Sequence, residues 1–154
     1  MKIAAGLIIF LGVGMRAAEA PGPHQWRAAE FSALAKTLAG KMDETKSGMQ
    51  PLVQGPGFNA IVFHREGTGQ AEIHEKLADF LTVRSGRGAV VVGGKAIDAK
   101  PTGPGELRGA RIEGGTRYVV AAGDVLYMPA NTAHQVVVEP GTHMDAVVIK
   151  VEAR

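Results

Sequence analysis

Two hydrophobic periods divide the chain. Phe31, Leu34, Leu38 and Met42 recur at helical spacing, while Glu30, Lys36, Lys41 and Asp43 take the other positions. The spacing predicts an amphipathic helix of roughly four turns, lying across the outside of a sheet. From Phe58 onward the period changes to two and the apolar runs shorten. FNAIVFHRE, QAEIHE, LADFLTVRS, AVVV, KAID, a weaker stretch around Leu107 to Ile112, TRYVVA, VLYMP, HQVVVEP and DAVVIKV each read as a strand. Gly67-Thr68-Gly69, Gly86-Arg87-Gly88, Glu113-Gly114-Gly115 and Ala122-Gly123-Asp124 read as turns. Gly93-Gly94 is the signature of a two-residue hairpin joining AVVV to KAID. Lys46 to Gly57 reads as a helix-breaking lead-in, and KPTGPGE as a loop. Roughly nine or ten short strands without an internal helix predict an all-β sandwich or jelly-roll barrel rather than a parallel α/β fold.

Composition sharpens this picture. A chain of 154 residues is long enough to bury a core of its own, so neither disulfides nor a structural metal are needed for folding. The 21 glycines and 8 prolines lie mostly between apolar runs, as many tight turns require. The net charge is +2, from 17 basic and 15 acidic residues, and the basic residues are scattered singly, so the footprint of a nucleic-acid binder is missing. There is no cysteine, so any metal must be held by nitrogen and oxygen.

The N-terminus reads separately from the rest. Lys2, an apolar run from Ile3 to Met15 too short to anchor in a bilayer, and the small residues around Ala18-Glu19-Ala20 together read as an export signal. Pro21 directly after Ala20 resists cleavage at that bond, so the segment is either cut elsewhere or kept as a tether. The expected organisation is a signal or tether over residues 1–20, a linker and helix over 21–57, and a barrel over 58–154, in an exported periplasmic or secreted protein with no membrane span beyond the signal.

Four residues carry the candidate chemistry. Glu72 and His74 are two apart on one strand and face the same side, about 7 Å apart at Cα, a separation suited to two ligands of one ion. Asp79 opens the next strand and can swing back beside them, and His134 would converge from a distant strand. Taken singly, Glu72 could pair with Lys76 and Asp79 could cap a turn. The spacing Glu72-x-His74-x4-Asp79-x6-Gly86 resembles the first motif of the cupins, and Gly123-x5-Pro129-x4-His134 resembles the second. The resemblance covers about residues 58 to 151 and implies a small single-domain cupin jelly-roll barrel. It further implies that His74 and His134 are metal ligands. Glu72 stands where the family has a histidine, Asp79 where it has a glutamate, Asn131 where it often has a glycine, and Val138 where it has an asparagine.

Two imidazoles and two carboxylates would leave a divalent ion formally neutral and suit Mn²⁺, Fe²⁺, Zn²⁺ or Ni²⁺. The alternative is a metal-free pocket in which Glu72 and Asp79 hydrogen-bond the histidines. Tyr127, Phe80, Phe63 and Val136 are candidates for the pocket wall, with Ile61, Val90, Val92, Val138 and Val147 as further apolar lining. His64 and Arg65 point to opposite faces of one strand. An inward Arg65 would clamp a carboxylate or phosphate, and an outward one, the reading favoured by composition alone, is a solvated charge. GELRGARIEGG lacks the helix that a phosphate loop needs and reads as hairpin chemistry. The resemblance implies metal-dependent oxygenase, isomerase or lyase chemistry on a small oxygen-rich molecule; the alternative it leaves open is a non-catalytic small-ligand or sugar-binding or storage module, since cupins serve as both. It also implies a homodimer.

Overall fold

The computed structural model describes residues 21–153. The segment read as an export signal lies outside the described residues. An extended lead from Pro21 runs into α1 (Ala28–Ala39), whose first turn is closed by the backbone N–H of Arg27 donating to Glu30 Oε2 at 2.5 Å. The apolar face is the predicted one: Leu38 is buried and Phe31 and Leu34 are half-buried. The helix stops at Ala39, one turn earlier than the spacing suggests, and packs on the first two strands.

Twelve strands follow: β1 (Ser47–Gly55), β2 (Phe58–Arg65), β3 (Ala71–His74), β4 (Leu77–Val92), β5 (Lys95–Ile97), β6 (Lys100–Gly103), β7 (Glu106–Gly109), β8 (Arg111–Glu113), β9 (Thr116–Ala121), β10 (Val125–Met128), β11 (His134–Val137) and β12 (Met144–Glu152). Their pairings are antiparallel and form a curled sheet with two walls. One wall runs β1, β2, β12 and the first half of β4, with β10 on the far side of β4. The other runs β6, β7, β3, β11 and the second half of β4, with β9 beyond it. Phe63, Leu81, Val83, Val90, Met128 and Met144 interdigitate between the walls. Each such side chain contributes about 1.5–3 kcal/mol through the water it sheds.

Four sequence expectations change here. Lys46 to Gly57 is mostly strand β1, paired along β2; as an edge strand it tolerates Pro51, beside which the register slips. Gly86-Arg87-Gly88 is not a turn, because β4 runs through it and passes from one wall to the other. Gly86 supplies the bend at φ 73°, and a Cβ there would stand 2.0 Å from the His143 carbonyl oxygen. The Gly93-Gly94 turn forms with both φ values positive, 79° and 74°, but β5 pairs with β8 in a separate two-stranded sheet rather than folding back on β4. KPTGPGE holds β6 and the start of β7, a hairpin whose outer strand is fully exposed. That hairpin carries two charged residues to the site.

Candidate metal centre

The site is assembled from cross-strand neighbours on the two walls. On one wall β3 lies between β11 and β7, so His134 is directly opposite Glu72, Glu72 opposite Arg108, and His74 opposite Glu106. On the other wall Asp79 of β4 is directly opposite Lys150 of β12. Closure of the barrel faces these two ladders toward each other. The loop before β11 is fixed by Asn131, whose φ of 55° is the left-handed conformation expected of asparagine at this position and whose N–H donates to the His74 carbonyl at 2.7 Å.

Glu72, His74 and His134 each bring one ligand atom to within 4.8 Å of the others. Glu72 Oε2 lies 3.4 Å from His74 Nε2 and 3.9 Å from His134 Nε2. Asp79 Oδ2 lies 3.5 Å and 3.6 Å from the same two nitrogens, so the fourth predicted residue joins the cluster from the opposite wall. His74 and His134 are both buried, with ring centroids 5.1 Å apart.

The surroundings decide which nitrogen of each ring faces inward. His74 Nδ1 donates to Glu106 Oε2 at 2.6 Å, and His134 Nδ1 donates to the Thr132 carbonyl at 3.1 Å. A carboxylate and a carbonyl only accept, so each ring carries its proton on Nδ1 and turns the Nε2 lone pair to the centre. This is how metal-ligating imidazoles are held by their outer partners. Burial lowers the His134 pKa against the opposing pull of Asp79 and Glu72, which keeps the ring in its neutral, ligating form. Burial pushes the Glu72 carboxyl up, but the adjoining His74 and His134 rings and the positive charges of Arg108 and Lys150 outweigh it and hold the carboxyl at about 2. Asp79 Oδ1 is buried with no hydrogen-bond partner, an orphan acceptor a cation would satisfy. The donor set of nitrogen and oxygen therefore fits a divalent metal ion.

A cation of the chain's own also stands there. Lys150 Nζ donates to His74 Nε2 at 2.7 Å and to Asp79 Oδ2 at 2.5 Å. The sequence reading passed over Lys150, although the period of DAVVIKV puts it on the same face as Ala146 and Val148. Glu106 and Arg108 were missed as well. Arg108 Nη1 donates to Glu106 Oε2 at 3.1 Å, and its Nη2 lies 3.7 Å from Glu72 Oε2. Glu106 falls at the end of the stretch read as a loop and Arg108 in the weakest strand read from the sequence, so no clear period aimed either of them.

Above the cluster opens a cavity of about 120 Å³, walled by Ile61, Phe63, Leu81, Met128, Val136 and Val148 among others. Phe63, Val136 and Ile61 are therefore on the wall as expected. Phe80 and Tyr127 are not: they are 40% and 52% exposed and pack on each other outside the barrel, ring centroids 5.0 Å apart. They face each other across β4 and β10, and alternation along β4 sends Asp79 and Leu81 inward and Phe80 out. Val147 is likewise replaced on the wall by Val148. Arg65 corrects the composition-based reading, because it faces the cavity, where burial lowers its pKa and the Glu72 and Asp43 charges oppose that effect. Gly69 leaves it room: a Cβ there would meet the guanidinium at 3.0 Å.

His64, on the opposite face of β2, is buried beneath α1, with Nδ1 2.6 Å from Asp145 Oδ1. Ser85 Oγ donates to Asp145 and lies 3.3 Å from His143 Nε2. That same His143 nitrogen faces Asp145 at 3.7 Å, so the imidazole does not stand between serine and acid as nucleophile activation requires.

No protein-family model matches the chain, and no curated protein matches it. Solved structures do. A cupin-2 domain protein, Rru_A2000 from Rhodospirillum rubrum, aligns with a TM-score of 0.51 at 18% identity over 71% of this chain and 62% of its own. Pac13, a nucleoside dehydratase whose Streptomyces structures include one with uridine, aligns with a TM-score of 0.52 at 14% identity over 73% of this chain and 75% of its own. The chain spans less than two thirds of the Rhodospirillum chain and 65% of the Streptomyces resistomycificus polyketide cyclase RemF, which it also matches. With its two-walled antiparallel barrel and the Glu72, His74 and His134 cluster at its centre, the chain has the cupin jelly-roll fold.

Proposed function

We propose that the barrel is an enzyme site for a small, anionic, oxygen-rich molecule, with Glu72, His74, His134 and Asp79 holding a divalent transition metal, of the Mn, Fe, Zn or Ni type. The observation that carries this reading is the convergence of two Nε2 lone pairs and a carboxylate, each imidazole being oriented by a partner on its far nitrogen. Such an ion supplies Lewis-acid polarisation of a bound oxygen. The chain's own residues do the rest. Arg65 and Arg108 border the cavity and would receive a carboxylate or phosphate, and the apolar wall excludes water and strengthens those charge contacts. The cavity has room for on the order of ten waters, which restricts it to small ligands. Proton carriers crowd the centre, favouring isomerase or lyase chemistry over oxygenase chemistry.

Metal analysis of protein purified without added metal tests the first half of this reading. Near-stoichiometric transition metal, lost in His134→Ala, supports it; protein that stays metal-free after supplementation refutes it. Proton exchange into small hydroxy and keto acids in D₂O, followed by NMR, tests the second half. Ligand binding with no exchange or turnover would favour the rival reading, a non-catalytic binding or storage module, which the enclosed cavity suits equally well.

Two further proposals concern assembly and location. The exposed Phe80, Val125, Tyr127 and Ile149 lie on adjacent strands of one outer face, which supports a homodimer paired through it; light scattering of wild type against Tyr127→Glu reads this directly. Export is proposed from the sequence of residues 1–20, and cell fractionation with N-terminal sequencing tests it.

A further inference from the structure

Lys150 places its ammonium where the proposed ion would take two of its ligands. Nζ is 2.7 Å from His74 Nε2 and 2.5 Å from Asp79 Oδ2, and those two atoms are 3.5 Å apart. That separation is close to the span of two donors each about 2.1 Å from a tetrahedral ion. The lone pair that His74 offers is already committed to Lys150, because Glu106 has fixed the ring proton on Nδ1. The Lys150 side chain is 13% exposed and the Asp79 side chain 3%, so this is a buried pair, and removing its cation would leave a buried carboxylate uncompensated.

We propose that Lys150 is a tethered cation that holds the metal position in the metal-free protein, so that a divalent ion binds only when the lysine withdraws. This rests on the metal reading of the site. Two positive groups cannot share His74 Nε2 and Asp79 Oδ2, since neither atom has a second lone pair aimed at the same point and the charges repel at contact distance. The ion therefore binds with the energy of its ligands less that of the lysine pair. The cavity lies beside the stem of Lys150, which lines it next to Val148. An ammonium that withdraws would enter that cavity, where its natural partner is the anionic ligand that Arg65 and Arg108 already border. Metal and anion binding would then support each other.

The experiment compares metal affinity in the full chain after stripping with a chelator. Wild type, Lys150→Met and His134→Ala are titrated with Zn²⁺ and with Mn²⁺ by calorimetry, and the melting temperature of each stripped protein is recorded. The expected result is at least tenfold tighter metal binding by Lys150→Met than by wild type, with none by His134→Ala. Stripped Lys150→Met is expected to melt several degrees below stripped wild type and to regain that loss when metal is added. Lys150→Gln carries the same comparison if Lys150→Met does not fold. Equal affinities in wild type and the lysine variants, with wild type fully loaded, overturn the competition and leave the metal site standing. Binding by none of the proteins overturns the metal reading and the competition with it.

Discussion

Glu106 Oε2 accepts the Nδ1 proton of His74 at 2.6 Å across the β3 and β7 pair, and this contact sets which nitrogen of His74 faces the centre of the barrel. Its effect is on the tautomer rather than on direct ligation, because Glu106 is turned toward the outer nitrogen. Glu106→Ala is expected to weaken metal binding about 10–100-fold while leaving the fold intact. Calorimetric titration beside a circular dichroism spectrum reads both quantities; unchanged affinity would show that His74 is oriented by something else.

Asp79 and Lys150 form the buried ion pair of the opposite wall. Asp79→Ala removes one partner and leaves the buried ammonium with His74 Nε2 as its remaining hydrogen-bond partner. The metal-free protein is expected to lose about 3 kcal/mol of stability, measured by urea unfolding. A loss below about 1 kcal/mol would mean that Lys150 reaches solvent with ease.

Acid stability of the metal-free protein follows from Glu72 and His134. The Glu72 carboxyl falls from 4.5 when unfolded to about 2 when folded, so its contribution is complete above pH 4.5 and is lost as pH falls toward 2. With its side chain 31% exposed, that contribution is on the order of 2 kcal/mol. The folded-state pKa of His134 is also depressed, below 6.5, so its contribution is present above 6.5 and likewise declines as pH drops. Unfolding midpoints between pH 7 and pH 3 should fall for wild type, and fall less between 4.5 and 3 for Glu72→Gln. Parallel profiles for the two proteins would contradict the assignment.

The bend in β4 depends on one residue. Gly86→Ala puts a side chain at φ 73° and a Cβ 2.0 Å from a backbone oxygen, and neither can relax without moving the His143 segment. A loss of at least about 2 kcal/mol is expected from the backbone conformation alone, read by chemical denaturation. Gly93→Ala shares a positive φ of 79° but meets nothing within 4 Å, so it should cost less; equal costs would show that the clash is relieved.

The helix, most strands and the inward aim of Glu72 and His74 were legible in the chain because period and turn chemistry are local properties. Phe80 and Tyr127 show the limit. An aromatic residue beside a histidine motif invites placement in the pocket, yet Asp79 and Phe80 are neighbours on one strand and cannot both point inward. Arg65 shows the converse, since charge alone argued for solvent and the phase of β2 turned it into the cavity.

The amino-acid sequence by itself determined an antiparallel barrel and named four residues for its centre, Glu72, His74, Asp79 and His134, because alternation, glycine turns and motif spacing each act within one or two strands. Only the tertiary structure decided that β4 crosses both walls, that the β6 and β7 hairpin delivers Glu106 and Arg108, and that Lys150 meets Asp79 and His74. Those are pairings between strands far apart in the chain. Their register is set by closure of the barrel and burial of one common core, and no local pattern encodes it.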